Sequence, residues 1–207
     1  KKILVTRKLL IENEEKLKKL FDVKLNSKDE LYTSDKIIEL SKDCDGILSA
    51  ITDQFNKDLI EKLSTSIKII ANFAVGFGNI DVNAAAKKNI VVTNTPEVLD
   101  DSTADISILL LLGASRKVLE ARRAAELQNW KWSADFMLGK QMSNKRLGIL
   151  GMGRIGRAVA KRARGFNMEI HYHNRSQLSK DLEEGAIYHK TVKDLFNCSD
   201  FLSINCP

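Results

Sequence analysis

Apolar residues in the first 95 or so positions come in short bursts separated by amphipathic stretches. Ile3-Leu4-Val5, Val23 to Leu25, Gly46 to Ser49, Ile67 to Ala71 and Ile90 to Val92 have the length and bounding of buried strands. Between them, helical spacing is carried by Leu17, Leu20 and Phe21, by Ile37 to Leu40, by Leu59 to Leu63 and by Asp81 to Lys87. Strand and helix in alternation predict a parallel sheet with helices on both faces. This pattern defines a first domain over residues 1–98.

Asn94-Thr95-Pro96 interrupts the alternation, because proline biases the preceding residue toward an extended conformation. Ser102-x-x-Asp105 then has the form of a capping box opening a long helix. Its core, Ile106 with Ile108 to Leu112, is apolar nearly all round, which predicts burial on several sides. A homodimer through the 103–127 region is the expected partner contact. An internal helix between two domains fits the same periodicity.

The most specific pattern follows. Leu147 to Leu150 predicts a buried strand, and Gly151-Met152-Gly153-Arg154-Ile155-Gly156 supplies a G-x-G-x-x-G turn directly after it. Gly151 permits the tight turn, Gly153 leaves room for phosphate, and Gly156 lets the next helix lie close to the sheet. That helix runs through Val159 and Ala163 and is expected to stop at Gly165 acting as its C′ residue. Met168, Ile170 and Tyr172 then alternate as a second strand. Strand, turn, helix and strand in register predict a dinucleotide site in which amides at the helix start hold the pyrophosphate.

The acidic residue that usually closes such a unit on the ribose hydroxyls is replaced by His173-Asn174-Arg175-Ser176. A guanidinium there suits an additional 2′-phosphate, with Asn174 and Ser176 as further donors, so NADP(H) is the expected cofactor and NAD(H) the lesser choice. Beyond Ser176 the pattern predicts a helix near Leu178 to Glu184, a strand at Ile187 to His189, a helix over Val192 to Asn197 and a strand at Phe201 to Ile204. A doubly wound dinucleotide fold needs about six strands, so only its first half is expected here.

Composition narrows the remaining classes. The 207 residues are 43% hydrophobic, enough for a buried core, and the longest apolar run, near Ile106 to Leu112, is too short for a membrane span. A cytoplasmic protein is expected, with Cys44, Cys198 and Cys206 as reduced thiols. Among His171, His173 and His189 the first two share a strand face, but no third ligand accompanies that pair, so no metal is expected. The net charge of +6 is spread among interleaved acidic residues, and no aromatic interleaving marks a nucleic-acid surface.

Several motifs in order resemble those of the D-isomer-specific 2-hydroxyacid dehydrogenase family, in particular its glyoxylate/hydroxypyruvate reductase branch. Val75-Gly76-Phe77-Gly78-Asn79-Ile80-Asp81 resembles the family's substrate loop, and Asn94-Thr95-Pro96 with Thr103-Ala104-Asp105 its hinge. Trp130-x-Trp132 followed by Gly139 resembles the approach to the cofactor domain, and Leu147 to Asn174 the cofactor signature. The implied fold is α/β with two doubly wound parallel-sheet domains: a flavodoxin-like substrate domain over 1–98 and an incomplete Rossmann domain over 99–207. The resemblance implies that backbone amides of Val75 and Gly76 bind the substrate carboxylate. It also implies that Thr103 contacts the nicotinamide side, that Arg154 and Ile155 contact the pyrophosphate, and that Cys206 and Pro207 border the adenosine.

The activity so implied is hydride transfer between a nicotinamide and a small 2-keto or 2-hydroxy acid, glyoxylate or hydroxypyruvate. The family's acid/base His, its acidic partner and its Arg all lie downstream of Pro207 in the family pattern. No catalytic residue is therefore assigned, and residues 1–207 alone are expected to be inactive. A non-enzymatic dinucleotide-sensing protein of the corepressor type is the alternative on the same fold.

Overall fold

In the computed structural model, which describes residues 1–128 and 130–206, the apolar bursts of the N-terminal half pair in parallel. They form β1 (Lys2–Val5), β2 (Asp22–Lys24), β3 (Gly46–Ala50), β4 (Ile69–Phe73) and β5 (Val91–Thr93), in the order β2-β1-β3-β4-β5. This is the flavodoxin-like strand order. The registers Leu4↔Ile47, Ile47↔Ile70 and Ile70↔Val92 put a row of branched side chains on one face. Against that row pack Ile37 from α2 (Ser34–Ser41), Leu59 and Ile60 from α3 (Lys57–Lys62), and Ala84 and Ala85 from α4 (Val82–Lys87).

Each of those three helices begins where a side chain can satisfy an amide of its first turn. Thr33, Asn56 and Asp81 accept from the amides of Lys36, Leu59 and Ala84 at 3.3, 2.9 and 2.9 Å. Asp81 thus caps the fourth helix instead of opening it. The fourth and fifth strands start later than the apolar runs suggest, because β4 first pairs with β3 at Gly46↔Ile69 and β5 first pairs with β4 at Ile69↔Val91. Ile67 lies in the preceding turn and is buried as core.

The opposite face of this sheet departs from expectation. Helix α1 (Ile11–Leu20) covers it and buries none of its own residues. Ile3, Leu48, Ile69 and Ala71 border a cleft of about 360 Å³ beneath Leu17 and Phe21. Only the β1-to-β2 crossover uses that side, and one ten-residue helix is too short to cover it.

The chain divides by contacts at Val98/Leu99. The second unit holds β6 (Arg146–Leu150), β7 (Glu169–His173), β8 (Ile187–Tyr188) and β9 (Phe201–Ile204), parallel and ordered β8-β7-β6-β9. Its helices are α5 (Asp100–Ser115), α6 (Val118–Glu126), α7 (Arg154–Arg164), the single turn α8 (Lys180–Glu183) and α9 (Val192–Cys198). β9 carries the sheet one strand past the first half of a dinucleotide fold, on the far side of β6. Close packing explains Gly148 in the middle of β6: a Cβ there would stand 2.0 Å from Ser199 Oγ.

Ala104 and Ile108 of α5 join Val159, Ala160 and Ala163 of α7 in the core, while Arg162 bridges Asp101 and Asp105 at 3.1 and 2.5 Å. The α5 helix starts at Asp100 with Leu99 as its N-cap residue, two residues before the sequence motif. The Ser102 hydroxyl lies within the first turn and donates to the Leu99 carbonyl, so Ser102 caps nothing. Burial of α5 is one-sided: Ile106, Leu109 and Leu110 are 55, 61 and 66% exposed. Gly165 ends α7 in a right-handed conformation, and Asn167 takes the left-handed one at φ 55°. No helix is long and apolar enough to cross a membrane among the described residues.

The loop after β7 is pinned from below. The Tyr172 hydroxyl donates to Glu183 at 2.7 Å and accepts from the Leu178 amide at 3.0 Å, and Glu183 also accepts from Gln177 and Lys180. Burial and the neighbouring carboxylate push the Tyr172 phenol up to about 12, and the Lys180, Gln177 and Tyr172 donors hold the Glu183 carboxyl at about 2. Because the folded-state value lies below the ordinary 4.5, this stabilisation is complete above that pH and disappears as pH falls toward 2. Urea midpoints measured from about pH 5 down to about pH 2 should therefore decline more steeply for the wild type than for Glu183→Gln.

Candidate functional site

Ligands of open parallel sheets sit at the carboxyl ends of the strands where the strand order reverses. In the second unit that point lies between β6 and β9, because the order runs outward from β6 through β7 to β8 and then crosses back to β9 on the other side of β6. Three strand ends converge there. The Gly151 amide donates to the His173 carbonyl at 3.0 Å, and the Asn205 amide donates to the Leu150 carbonyl at 2.8 Å.

Gly151 has φ 93°, in the left-handed region, and a Cβ on it would stand 2.9 Å from the backbone of Asn205 and Cys206. Gly156 is equally constrained, since its Cβ would fall 2.3 Å from the Gly151 carbonyl oxygen. Gly153 is different: nothing lies within 4 Å of where its Cβ would be. It is the N-cap residue of α7 and offers no side-chain cap to the helix's first amides. An open surface over an uncapped amide end is the geometry a pyrophosphate fits, with favourable dipole sign and no side chain in the way.

Asn174 has a structural task beyond the sequence expectation. Its Oδ1 accepts from the Met152 amide at 2.6 Å and its Nδ2 reaches the Met152 carbonyl at 3.5 Å, so the carboxamide braces the glycine loop and keeps a second Nδ2 hydrogen for another acceptor. His173 is also committed, through Nδ1 to the His189 carbonyl at 2.8 Å and a stacked contact with Tyr188. Arg175 and Ser176 are exposed, and no hydrogen bond or ion pair ties the Arg175 guanidinium among the described residues.

The other expected contacts fall around this centre. Arg154 opens α7 and lies 3.4 Å from Asp100. Ile155 is half-buried and packs on the core, and Thr103 is half-buried in the first turns of α5. Cys206 is exposed beside Gly151, while Pro207 lies outside the described residues.

In the first unit, Val75 and Gly76 lie on the loop after β4. Three successive carbonyls of that loop are occupied: Ala74 accepts from the Thr95 amide at 2.9 Å, Val75 from Asn94 Nδ2 at 2.7 Å and Gly76 from Asn72 Nδ2 at 3.0 Å. Peptide planarity points each following amide, those of Val75, Gly76 and Phe77, away from the occupied carbonyl of its own peptide. Asn72 is itself held by Ser49 at 3.1 Å and Asn79 at 3.0 Å, all buried. Residue-by-residue reading missed this buried amide network. Its one signal was the Asn inside the otherwise apolar Ile69-Ile70-Ala71-Asn72-Phe73.

The histidines also regroup. His171 Nδ1 lies 2.9 Å from His189 Nε2, which lies 3.4 Å from Cys198 Sγ. His189 and Cys198 thus supply the donors that the His171/His173 pair lacked. Burial holds the His171 imidazole below its ordinary value and so neutral at pH 7.

Comparison with known proteins places this geometry. Residues 108–207 match the family model described as D-isomer specific 2-hydroxyacid dehydrogenase, NAD binding domain. The whole chain is 40% identical to a glyoxylate reductase of Korarchaeum cryptofilum and spans 62% of that protein's length. It is similar to a solved 2-hydroxyacid dehydrogenase from Polaromonas at 40% identity and TM-score 0.89, covering 100% of this chain and 65% of that one. It is also similar to an NADPH-dependent glyoxylate/hydroxypyruvate reductase from Sinorhizobium meliloti, solved with citrate. There the identity is 31% and the TM-score 0.83, over 98% of this chain and 62% of that one.

The bracing role of Asn174 makes a distinct prediction. Asn174→Ala leaves the Met152 amide without its acceptor, a loss of about 1–3 kcal/mol in loop order. Fluorescence titration of the full-length protein should then show similarly weakened binding of phosphorylated and unphosphorylated nicotinamide coenzymes.

Proposed function

Because the chain belongs to the D-isomer specific 2-hydroxyacid dehydrogenase family, we propose that the full protein is an NADP(H)-dependent reductase of a small 2-keto acid, glyoxylate or hydroxypyruvate. The observation carrying this reading is the uncapped amide end of α7 beneath Gly153, with the untethered Arg175 guanidinium after β7. Bound there, a nicotinamide cofactor supplies the hydride exchanged with C2 of the acid.

The chain's own residues have three tasks in this scheme. Gly153 leaves the amide end of α7 open to the pyrophosphate, Gly151 and Gly156 let the loop and helix pack against their own backbone neighbours, and Asn174 holds the loop in place. Arg175 grips the 2′-phosphate, a role that a carboxylate at the same place would oppose by repulsion. The amides of Val75, Gly76 and Phe77 hold the substrate carboxylate, their direction set by the occupied carbonyls behind them. The names of the Korarchaeum and Sinorhizobium proteins support the substrate class, and that of the second supports the coenzyme.

Arg175→Ala is the decisive variant for coenzyme choice. Loss of a charged hydrogen-bonding pair costs about 1.5–3 kcal/mol, so NADPH affinity should fall roughly 10- to 150-fold while NADH affinity stays level. Steady-state glyoxylate reduction by the full-length protein with each coenzyme measures both. Equal losses for NADH and NADPH would assign Arg175 to the loop's structure instead.

The reading extends to a partner. The exposed apolar residues Ile106, Leu109, Leu110, Val118 and Leu119 on α5 and α6 form the face we assign to a second copy of the chain. Light scattering of the full-length protein should give a dimer, and Leu109→Glu should shift it toward monomer. An unchanged mass for that variant would place the contact elsewhere.

A further inference from the structure

The His171, His189 and Cys198 side chains meet on the face of the second sheet covered by α9, each from a different segment: β7, the residue after β8, and the last residue of α9. Their nearest donor atoms all lie within 4.8 Å of one another, with Nδ1···Nε2 at 2.9 Å and Nε2···Sγ at 3.4 Å. Two imidazole nitrogens and one thiolate around a tetrahedral zinc ion are separated by about 3.3 Å and about 3.6 Å, from Zn–N near 2.0–2.1 Å and Zn–S near 2.3 Å. These two observed separations differ from the tetrahedral values by a few tenths of an ångström, and the third, His171 Nδ1 to Cys198 Sγ, lies within 4.8 Å.

We propose that His171 Nδ1, His189 Nε2 and Cys198 Sγ form a binding site for a zinc-like divalent cation that clamps β7, the end of β8 and α9 together. A fourth position is left to water or another small ligand. A second feature points the same way. His171 Nε2 is buried with no hydrogen-bond partner, yet Glu169 Oε1 stands 3.4 Å from it. Metal on Nδ1 obliges Nε2 to carry the proton, and Glu169, whose side chain is 57% exposed and able to adjust, becomes its acceptor. A carboxylate behind a ligating imidazole is the usual support of such sites.

The balance of the binding step is simple. The Cys198 thiol loses its proton to solvent as sulfur bonds the cation, the His171–His189 hydrogen bond is exchanged for two nitrogen–metal bonds, and the thiol's contact with the Leu195 carbonyl at 3.2 Å is given up. No redox partner is required. The site lies apart from the glycine loop, although the His189 carbonyl also holds His173, so the clamp steadies the edge beside Arg175.

The test uses the chelator-treated full-length protein and the metals alone. Cobalt(II) should give the visible bands of a tetrahedral site together with a thiolate-to-cobalt charge-transfer band, and zinc should displace it stoichiometrically. Zinc should also slow alkylation of Cys198 while leaving that of Cys206 unchanged, a readout that needs no variant and no turnover. Cys198→Ser and His189→Gln, checked for folding by circular dichroism, should abolish the charge-transfer band. Glu169→Gln should weaken zinc binding about tenfold or more. Absence of the band in the wild type, its persistence in Cys198→Ser, or alkylation of Cys198 indifferent to zinc would each overturn the proposal.

Discussion

The second unit turns on one backbone contact, the approach of Gly151 to Asn205 and Cys206. Strand β6 must leave the sheet between two parallel neighbours, and the amide after Gly151 must swing upward to begin a helix. An L side chain at Gly151 would face both a φ of 93° and backbone at 2.9 Å, so the crossing exists only without a Cβ. Gly156 repeats the constraint one helical turn later against the Gly151 carbonyl. These contacts press α7 onto the sheet and aim its amide end along the gap between β6 and β9. An uncapped amide end so placed suits an anion through packing geometry alone and requires no cationic side chain.

Around this crossing, polar side chains act mainly as braces. Asn174 fixes Met152, Tyr172 and Glu183 fix the loop carrying Arg175, and Asn72 with Asn94 fixes the carbonyls of the 75–76 loop. In each case a buried or half-buried side chain satisfies a backbone group that the loop by itself leaves open. A buried amide left without its partner costs about 1–3 kcal/mol, which is why such braces hold one conformation. The residues that would touch a ligand are therefore largely main chain, and their specificity lies in direction.

The two sheets differ in how completely they are covered. In the second, α5 and α7 meet through Ala104, Ala160 and Ala163, small enough to bring the helices close. In the first, the α2–α3–α4 face is a filled core, while α1 leaves the other face half-covered over Ile3 and Leu48. The same asymmetry marks α5, whose apolar circumference is buried on one side only. Hydrophobic periodicity reports that a surface wants cover; it does not name what provides it.

Periodicity and spacing sufficed for the α/β class, the order of elements and the dinucleotide turn. Buried parallel strands must be apolar runs, and the G-x-G-x-x-G glycines answer steric demands that are local in the chain. Boundaries were less legible: β4 starts where β3 offers a partner, and α5 starts at Asp100 because Leu99, not Ser102, is the residue that leaves the helical conformation, at φ −134° and ψ 9°. Only the tertiary structure decided the pairings between distant residues. Asn174 with Met152, Asn94 with Val75, and His171 with His189 and Cys198 join segments whose separation carries no period, since the fold, and no property of the residues alone, sets which side chains share a face.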